Sequence, residues 1–340
     1  MTSKKGENTL KNGKHLVWIL DDEWVDHSIE KAIYEQNGFE VKVTRSEAFE
    51  EDLPHYAPYA DAVVAQVGFQ CTAELIDKLD SCRIISASAV GFNHIDVEAA
   101  TRKGILVSHV PEYCSEEVSD HAITHILTLA RRFPAYNEQV KRGEWDPMDT
   151  LPIKRFCNHT VGLLGFGRIA RKAAQKLKGF GVRLIAHDPS VSEEVFDEYS
   201  VEAVSFNELL SQSTILSLHV PLKPDTKNII SYDQLKMMPQ GAFIVNTSRG
   251  GVINEEDLYK AINEGHIAGA GLDVLLNEPP HSDDPLLNTD KVFVTPHSAY
   301  ISEEAIVELK TKTSQNAIDG VAGKPVANTL NPQVLNEIKL

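Results

Sequence analysis

The strongest constraint in this chain is its alternation of short apolar runs with helical patterns, many of the runs ending at a residue capable of chemistry. His15–Leu20, Val41–Val43, Ala62–Val67, Arg83–Ser88 and Ile105–Ser108 read as strands, with helical stretches such as Ser28–Asn37 and Thr72–Leu79 between them. A second series runs Thr160–Leu164, Arg183–His187, Ile215–Leu218, Ala242–Asn246, Gly269–Asp273 and Val292–Thr295. Strands and helices alternating at this spacing predict parallel sheets covered on both faces, an α/β fold. Most runs of the second series lead into Asp188, His219, Asn246 and Thr247, Asp273, or Pro296 and His297. Ligands of open α/β sheets sit outside the carboxyl ends of the strands, so the second series is expected to carry the chemistry.

Between the two series, Val118, Ala122, Ile126 and Leu129 recur at helical spacing and predict one helix over Ser115–Arg132, punctuated by Pro111 and Pro134. Glu116 and Glu117 read as its solvated first turn, and Asp120 as a residue of the domain junction. His121 and His125 have metal-ligand spacing, yet no third ligand is evident nearby, and they read as core or interface histidines. Arg142–Phe156 reads as a polar connection. A last helical pattern covers Glu303–Val321; packed back on the first series, it makes that domain discontinuous.

The segment Thr160–Ala170 reads T-V-G-L-L-G-F-G-R-I-A, which places G-x-G-x-x-A directly after a strand and before a helix. Gly165 permits the tight turn, Gly167 lets a pyrophosphate approach the backbone, and Ala170 lets helix and strand pack closely. The helix start, with Arg168 and Ile169, offers unpaired N–H groups and a partial positive charge to the diphosphate. Asp188 ends the next strand about 20 residues on, where a carboxylate accepts from a ribose 2′-hydroxyl and repels a 2′-phosphate. NAD is therefore expected over NADP.

Three downstream segments, A-F-I-V-N-T-S-R-G-G, G-L-D-V-L-L-N-E-P-P and V-F-V-T-P-H-S-A, each couple a strand end to polar residues held by Gly or Pro. Neighbouring strands would bring Arg249, Glu278 and His297 to one sheet edge. Arg offers a planar fork to a carboxylate and carbonyl, and His delivers a proton near working pH. Glu278 on the other ring nitrogen fixes the tautomer and favours the cationic ring. That set suits hydride transfer to a 2-keto acid, with Asp273 placed to hold a nicotinamide carboxamide.

The N-T-S-R-G-G, L-D-V-L-L-N-E-P and T-P-H segments resemble three signatures of the D-isomer-specific 2-hydroxyacid dehydrogenases, and the likeness runs from Lys14 to Asn331. The resemblance implies two Rossmann-like parallel-sheet domains. An NAD-binding domain (111–302) is inserted in a discontinuous, flavodoxin-like substrate domain (1–110 and 303–340). It implies Arg249, Glu278 and His297 as the catalytic set, NAD as cofactor, a 2-keto or 2-hydroxy acid as substrate, and a homodimer formed largely through the nucleotide domain. It further implies that Val90, Gly91 and Phe92 bind the substrate carboxylate through backbone N–H groups. His219, Val220, Pro221, Thr226, Thr247 and Ser248 line the cofactor, together with Gly165, Gly167, Arg168, Ile169, Asp188 and Asp273. The stretches S-D-H-A-I-T-H-I-L-T-L-A-R-R and P-H-S-A-Y-I-S-E-E-A are similar to the C-terminal-binding protein branch, which usually has Trp where Tyr300 stands. Tyr300 either walls the pocket or packs at the domain hinge.

Two alternatives follow from the same resemblance. One is a corepressor-like, NAD(H)-sensing peptide-binding protein. The other is a D-3-phosphoglycerate dehydrogenase, which carries a basic residue near the position of Gln66; the segment A-Q-V-G-F-Q has none, so a phosphate would lose a charge-assisted bond.

Composition excludes other classes. The chain has 340 residues with 49 acidic and 33 basic side chains, a formal net charge of −16 that disfavours nucleic acid. No apolar run approaches the ~18 residues of a spanning helix. Met1–Lys14 reads as a solvated tail without a signal-type apolar region. Cys71, Cys82, Cys114 and Cys157 form no C-x-x-C pair, which predicts reduced thiols in the cytoplasm and no metal site.

Overall fold

The computed structural model describes residues 13–150 and 152–337, and most of the tail expected over Met1–Lys14 lies outside them. The chain forms two compact units, Met1–Tyr113 with Ser302–Leu340, and Cys114–Ile301.

The first unit carries a five-stranded parallel sheet of β1 (His15–Leu20), β2 (Phe39–Thr44), β3 (Ala62–Ala65), β4 (Ile84–Ala87) and β5 (Leu106–Ser108), in the order β2-β1-β3-β4-β5. All but the edge strand β2 are buried on both faces, which is why they read as continuous apolar runs. Along β1, Leu16, Trp18 and Leu20 join one core with Leu53, Phe69 and Ile76. Val17 and Ile19 point to the opposite core, with Ile84, Ala317, Ile318 and Val321. The last three belong to the helix Glu303–Val321, which packs on β3 and β4. Ser302 starts this helix by accepting a hydrogen bond from the Ala305 N–H at 2.9 Å, satisfying one orphan donor of the first turn.

The second unit carries a seven-stranded parallel sheet: β6 (Thr160–Leu164), β7 (Arg183–His187), β8 (Glu202–Ala203), β9 (Ile215–Leu218), β10 (Ala242–Asn246), β11 (Ile267–Leu272) and β12 (Val292–Val294). The order is β12-β11-β10-β9-β6-β7-β8. The chain runs outward from β6 on one side and then returns to build β9 to β12 on the other, so the switch point lies between β6 and β9.

Several expectations are corrected. The helix expected over Ser115–Arg132 stops at Ala130, because Arg132 adopts a left-handed φ of 55°. A further helix, Phe133–Lys141, begins there, with Pro134 in its first turn, where a missing N–H costs nothing. Pro134 thus opens a helix instead of closing one. Strand β11 begins at Ile267, earlier than its glycines suggest. A Cβ at Gly271 would stand 2.7 Å from His125 Nδ1, so glycine there is what lets the helix Ser115–Ala130 lie close to the sheet. Glu116 is not simply solvated. Its hydrogen bonds to Lys172 and Lys176, both on the helix Arg168–Leu177, hold its carboxyl down at about 2. Asp120 is an ion-pair partner of Lys176 at 2.6 Å inside the second unit. Cys71, Cys82 and Cys114 are buried, Cys157 is exposed, and none of the four is in a disulfide. Among the described residues no helix is long and apolar enough to cross a membrane.

Candidate active site

The turn after β6 is stitched to both neighbouring strands. The Gly165 N–H donates to His187 O at 2.9 Å, and the His219 N–H donates to Leu164 O at 2.8 Å. Gly165 has a φ of 87°, and a Cβ there would meet His219 O at 2.9 Å, so only glycine fits. The Phe166 ring turns inward and stacks on Phe196 with centroids 4.8 Å apart, while its N–H donates to Asp188 Oδ2 at 2.9 Å. Gly167 caps the helix Arg168–Leu177, and a Cβ on it would meet nothing within 4 Å. The N-terminus of that helix therefore faces open space, with Arg168 exposed and Ile169 half-buried. This cradle fits a diphosphate.

Asp188 is half-buried and also accepts from the Ser190 N–H at 2.9 Å, leaving each carboxylate oxygen a lone pair for an incoming hydroxyl. No cation follows it in Pro189 or Ser190. Across the switch point, His219 Nε2 lies 3.0 Å from Ser217 Oγ, and burial pushes the imidazole down to about 4, so it is neutral. Val220 and Pro221 lead into a turn closed by Thr226, whose hydroxyl donates to Pro221 O at 2.5 Å and accepts from the Lys223 N–H at 2.8 Å. After β10, Thr247 is buried and its hydroxyl oxygen has no partner. A buried hydroxyl left unpaired is costly, and a bound cofactor amide or ribose would satisfy it. Both observations fit NAD.

The strands β10, β11 and β12 are consecutive neighbours, and the segments after them carry Arg249, Glu278 and His297. Asn246 shapes the first: its Oδ1 accepts from the Ser248 N–H at 3.0 Å and hydroxyl at 2.8 Å, and its Nδ2 donates to Arg249 O at 2.8 Å. Arg249 Nη1 donates to Ser248 O at 2.7 Å. Glu278 accepts from the Leu275 N–H at 2.9 Å through Oε1 and meets His297 Nδ1 at 2.7 Å through Oε2. Burial alone pushes the Glu278 carboxyl up, but the His297 bond, the Leu275 N–H and the Arg249 charge together hold it below its ordinary value. Glu278 is thus an anion that accepts from Nδ1, and Nε2 of His297 is left for a substrate. The His297 and Glu278 side chains are 36% and 38% exposed, so the pair is within reach of a ligand. Tyr300 sets its ring edge-on to His297 at 6.3 Å.

His297 itself has a left-handed φ of 51°, a strained conformation for a residue with a Cβ. Asp273 holds it there. The His297 N–H donates to Asp273 O at 2.8 Å. The Asp273 carboxylate, 2% exposed, accepts from Thr295 Oγ1 at 2.6 Å, the Ser298 N–H at 2.9 Å and the Ala299 N–H at 3.0 Å. This wrapping of Thr295–Ala299 around Asp273 was not foreseen from the sequence. The expected histidine pair also has a place: His125 is buried and His121 Nε2 lies 2.8 Å from Thr295 Oγ1.

In the first unit, Val90, Gly91 and Phe92 follow β4 in a loop. Among the described residues none of their N–H groups has an acceptor within the protein. His109 Nδ1 contacts Val90 O at 2.7 Å and its ring meets Phe92 edge-on at 5.4 Å, which fixes the loop. Successive unpaired N–H groups of this kind suit an anion.

Residues 123–299 match the family model described as D-isomer specific 2-hydroxyacid dehydrogenase, NAD binding domain. The chain is 37% identical over 291 residues to a D-3-phosphoglycerate dehydrogenase of Methanocaldococcus jannaschii, covering 85% of this chain and 55% of that one. It spans only about half the length of the phosphoglycerate dehydrogenases it matches. A glyoxylate reductase of Korarchaeum cryptofilum is 37% identical over 279 residues, covering 81% of this chain and 84% of that one. Among solved structures, the D-lactate dehydrogenase from Aquifex aeolicus complexed with NAD and lactic acid superposes with a TM-score of 0.82 at 27% identity, covering 94% of this chain and 98% of that one. This chain belongs to the D-isomer-specific 2-hydroxyacid dehydrogenase family.

Proposed function

We propose that the protein is an NAD(H)-dependent reductase of unphosphorylated 2-keto acids, working as a D-2-hydroxyacid dehydrogenase in reverse. The observation that carries this reading is the 2.7 Å bond between His297 Nδ1 and Glu278 Oε2, beside Arg249 and behind a dinucleotide turn. When bound, NADH supplies the hydride. Gly165, Gly167 and the helix beginning at Arg168 and Ile169 hold its diphosphate, and Asp188 accepts from the adenosine ribose. His219, Val220, Pro221, Thr226, Thr247, Ser248 and Asp273 line the remainder. Arg249 binds the substrate carboxylate and carbonyl; in the first unit, the Val90–Phe92 amides are donors suited to a carboxylate. His297 gives the proton on Nε2 to the carbonyl oxygen as hydride arrives at the carbonyl carbon. Glu278 balances the ring charge before that transfer, and the reverse path takes the same proton back.

The substrate class follows from the edge of the first sheet. Gln66, which directly follows β3, is buried; its Oε1 accepts from the Gly68 N–H at 2.7 Å and its amide contacts the Glu23 carboxylate. Asp21 and Asp22 precede Glu23 in the same loop. With Gln66 standing where a basic residue would be needed, a phosphorylated substrate would lose a charge-assisted bond, which supports glyoxylate- or hydroxypyruvate-like substrates. The relatives include a hydroxypyruvate reductase of Thermotoga maritima as well as phosphoglycerate dehydrogenases, so phosphohydroxypyruvate is the natural competitor substrate in the assay.

The complete Arg249, Glu278 and His297 set supports the enzyme reading over a corepressor-like protein of the C-terminal-binding protein branch. We further propose a cytoplasmic homodimer formed through the second unit, whose exposed Phe133, Trp145 and Met148 are candidates for the contact. Following NADH absorbance with a panel of keto acids tests the reaction: turnover of an unphosphorylated acid is expected. Failure with every member, or sole turnover of phosphohydroxypyruvate, would overturn it.

A further inference from the structure

We propose that His121 is a positioning residue of this site: it orients the Thr295 hydroxyl onto Asp273 and so holds the loop that presents His297. The inference rests on the reading of His297 as the proton donor. Its starting point is proton counting. Thr295 Oγ1 lies 2.6 Å from Asp273 Oδ1, which only accepts, so the single hydroxyl proton is spent there. The contact of 2.8 Å between Thr295 Oγ1 and His121 Nε2 must then have the imidazole as donor. His121 Nε2 also lies 3.4 Å from Asp273 Oδ1. The path therefore runs from His121 to Thr295 to Asp273, and from Asp273 to the N–H groups of His297, Ser298 and Ala299.

Two further facts make His121 the adjustable member. Its side chain is 22% exposed, whereas the Asp273 side chain is 1% exposed, so His121 links the buried carboxylate to solvent. The neighbouring His125, with its ring 4.6 Å from that of His121, is held neutral because burial pushes it down to about 4. The loop it controls is strained at His297, whose left-handed backbone persists only while its surroundings over-determine it. Loss of the His121 donor leaves the Thr295 oxygen with only the more distant His125 Nε2, at 3.4 Å, beside it and removes one constraint from that loop, without touching cofactor or substrate.

The test compares the parent with His121→Leu and His121→Gln, the latter keeping a side-chain donor. In His121→Leu, kcat for keto-acid reduction is expected to fall roughly ten-fold, the loss of about one hydrogen bond. The NADH dissociation constant and thermal midpoint stay unchanged. Amide hydrogen exchange at His297, Ser298 and Ala299 speeds up, and His121→Gln restores both kcat and protection. Unchanged kcat and exchange in His121→Leu overturn the proposal, as does an equal loss of thermal midpoint and activity in both variants. Should the parent reduce no keto acid, the reaction reading fails on its own, and the exchange comparison still decides the role of His121.

Discussion

Replacing Glu278 with Gln isolates one charge at the centre of the site. The amide keeps an oxygen to accept the Leu275 N–H, now 2.9 Å from Oε1, so the local turn is preserved. What disappears is the anion that accepts from His297 Nδ1 at 2.7 Å. A charge-assisted hydrogen bond is worth about 1.5–3 kcal/mol when buried. Both side chains are more than a third exposed, at 36% and 38%, so solvent screening reduces this to about 1–2 kcal/mol. Expressed on the reductive transition state, where the ring must carry and then release a proton, that is roughly a 5- to 30-fold loss of kcat/KM. Steady-state NADH oxidation with the best keto acid measures it, and NADH fluorescence titration checks that cofactor binding is retained. A Glu278→Gln enzyme within about two-fold of the parent, with cofactor binding intact, would refute the reasoning.

Other expectations follow from the same geometry. Gly167→Ala places its Cβ in open space, so it should fold as the parent does while raising the KM for NADH about ten-fold by obstructing the diphosphate; Gly165→Ala, with its Cβ 2.9 Å from His219 O, should instead lower unfolding stability by about 2 kcal/mol. Asp188→Asn keeps an acceptor for the Phe166 N–H but loses the charge, and should raise the NADPH-to-NADH ratio of kcat/KM about ten-fold. His125 is buried with its imidazole at about 4, so the unfolded chain protonates it first. The contribution of His125 to stability is then complete above a pH of about 6.5 and declines by about 3 kcal/mol as pH falls to about 4, alongside that of His219. Urea unfolding across that range should show a shallower decline in His125→Gln, and identical slopes would contradict it.

Much of the second unit is legible in its sequence because several independent signals agree. The runs of β6, β7, β9 and β10 are apolar, bounded by turn residues, and end at polar side chains, so their limits were read correctly. The helix Glu303–Val321 was equally plain, since Ser302 supplies a cap just before a strong periodic pattern. The proximity of His297 and Glu278 follows from consecutive strands, and the topology supplies that adjacency. Local signals failed where a distant group decides the outcome. The break at Arg132 depends on a left-handed residue that no glycine announces, and Arg132 Nη1 reaches across to Ala268 O at 3.3 Å. The glycines of β11 look like breakers until His125 is seen lying against Gly271. Asp273 reads as a cofactor residue from its strand end alone, and its grip on Thr295, Ser298 and Ala299 emerges only once β11 and β12 are paired. The histidines His121 and His125 read as core or interface residues, and their contacts with Thr295 span too many residues for spacing to reveal.

The account stands on His297 as the proton donor to a reduced carbonyl. Single-turnover reduction of glyoxylate or hydroxypyruvate, by parent and His297→Gln each preloaded with NADH, measures that step directly. The account predicts rapid oxidation of bound NADH by the parent and a rate about 10²- to 10⁴-fold slower in the variant, with equal NADH affinity. Equal rates in the two proteins would contradict it.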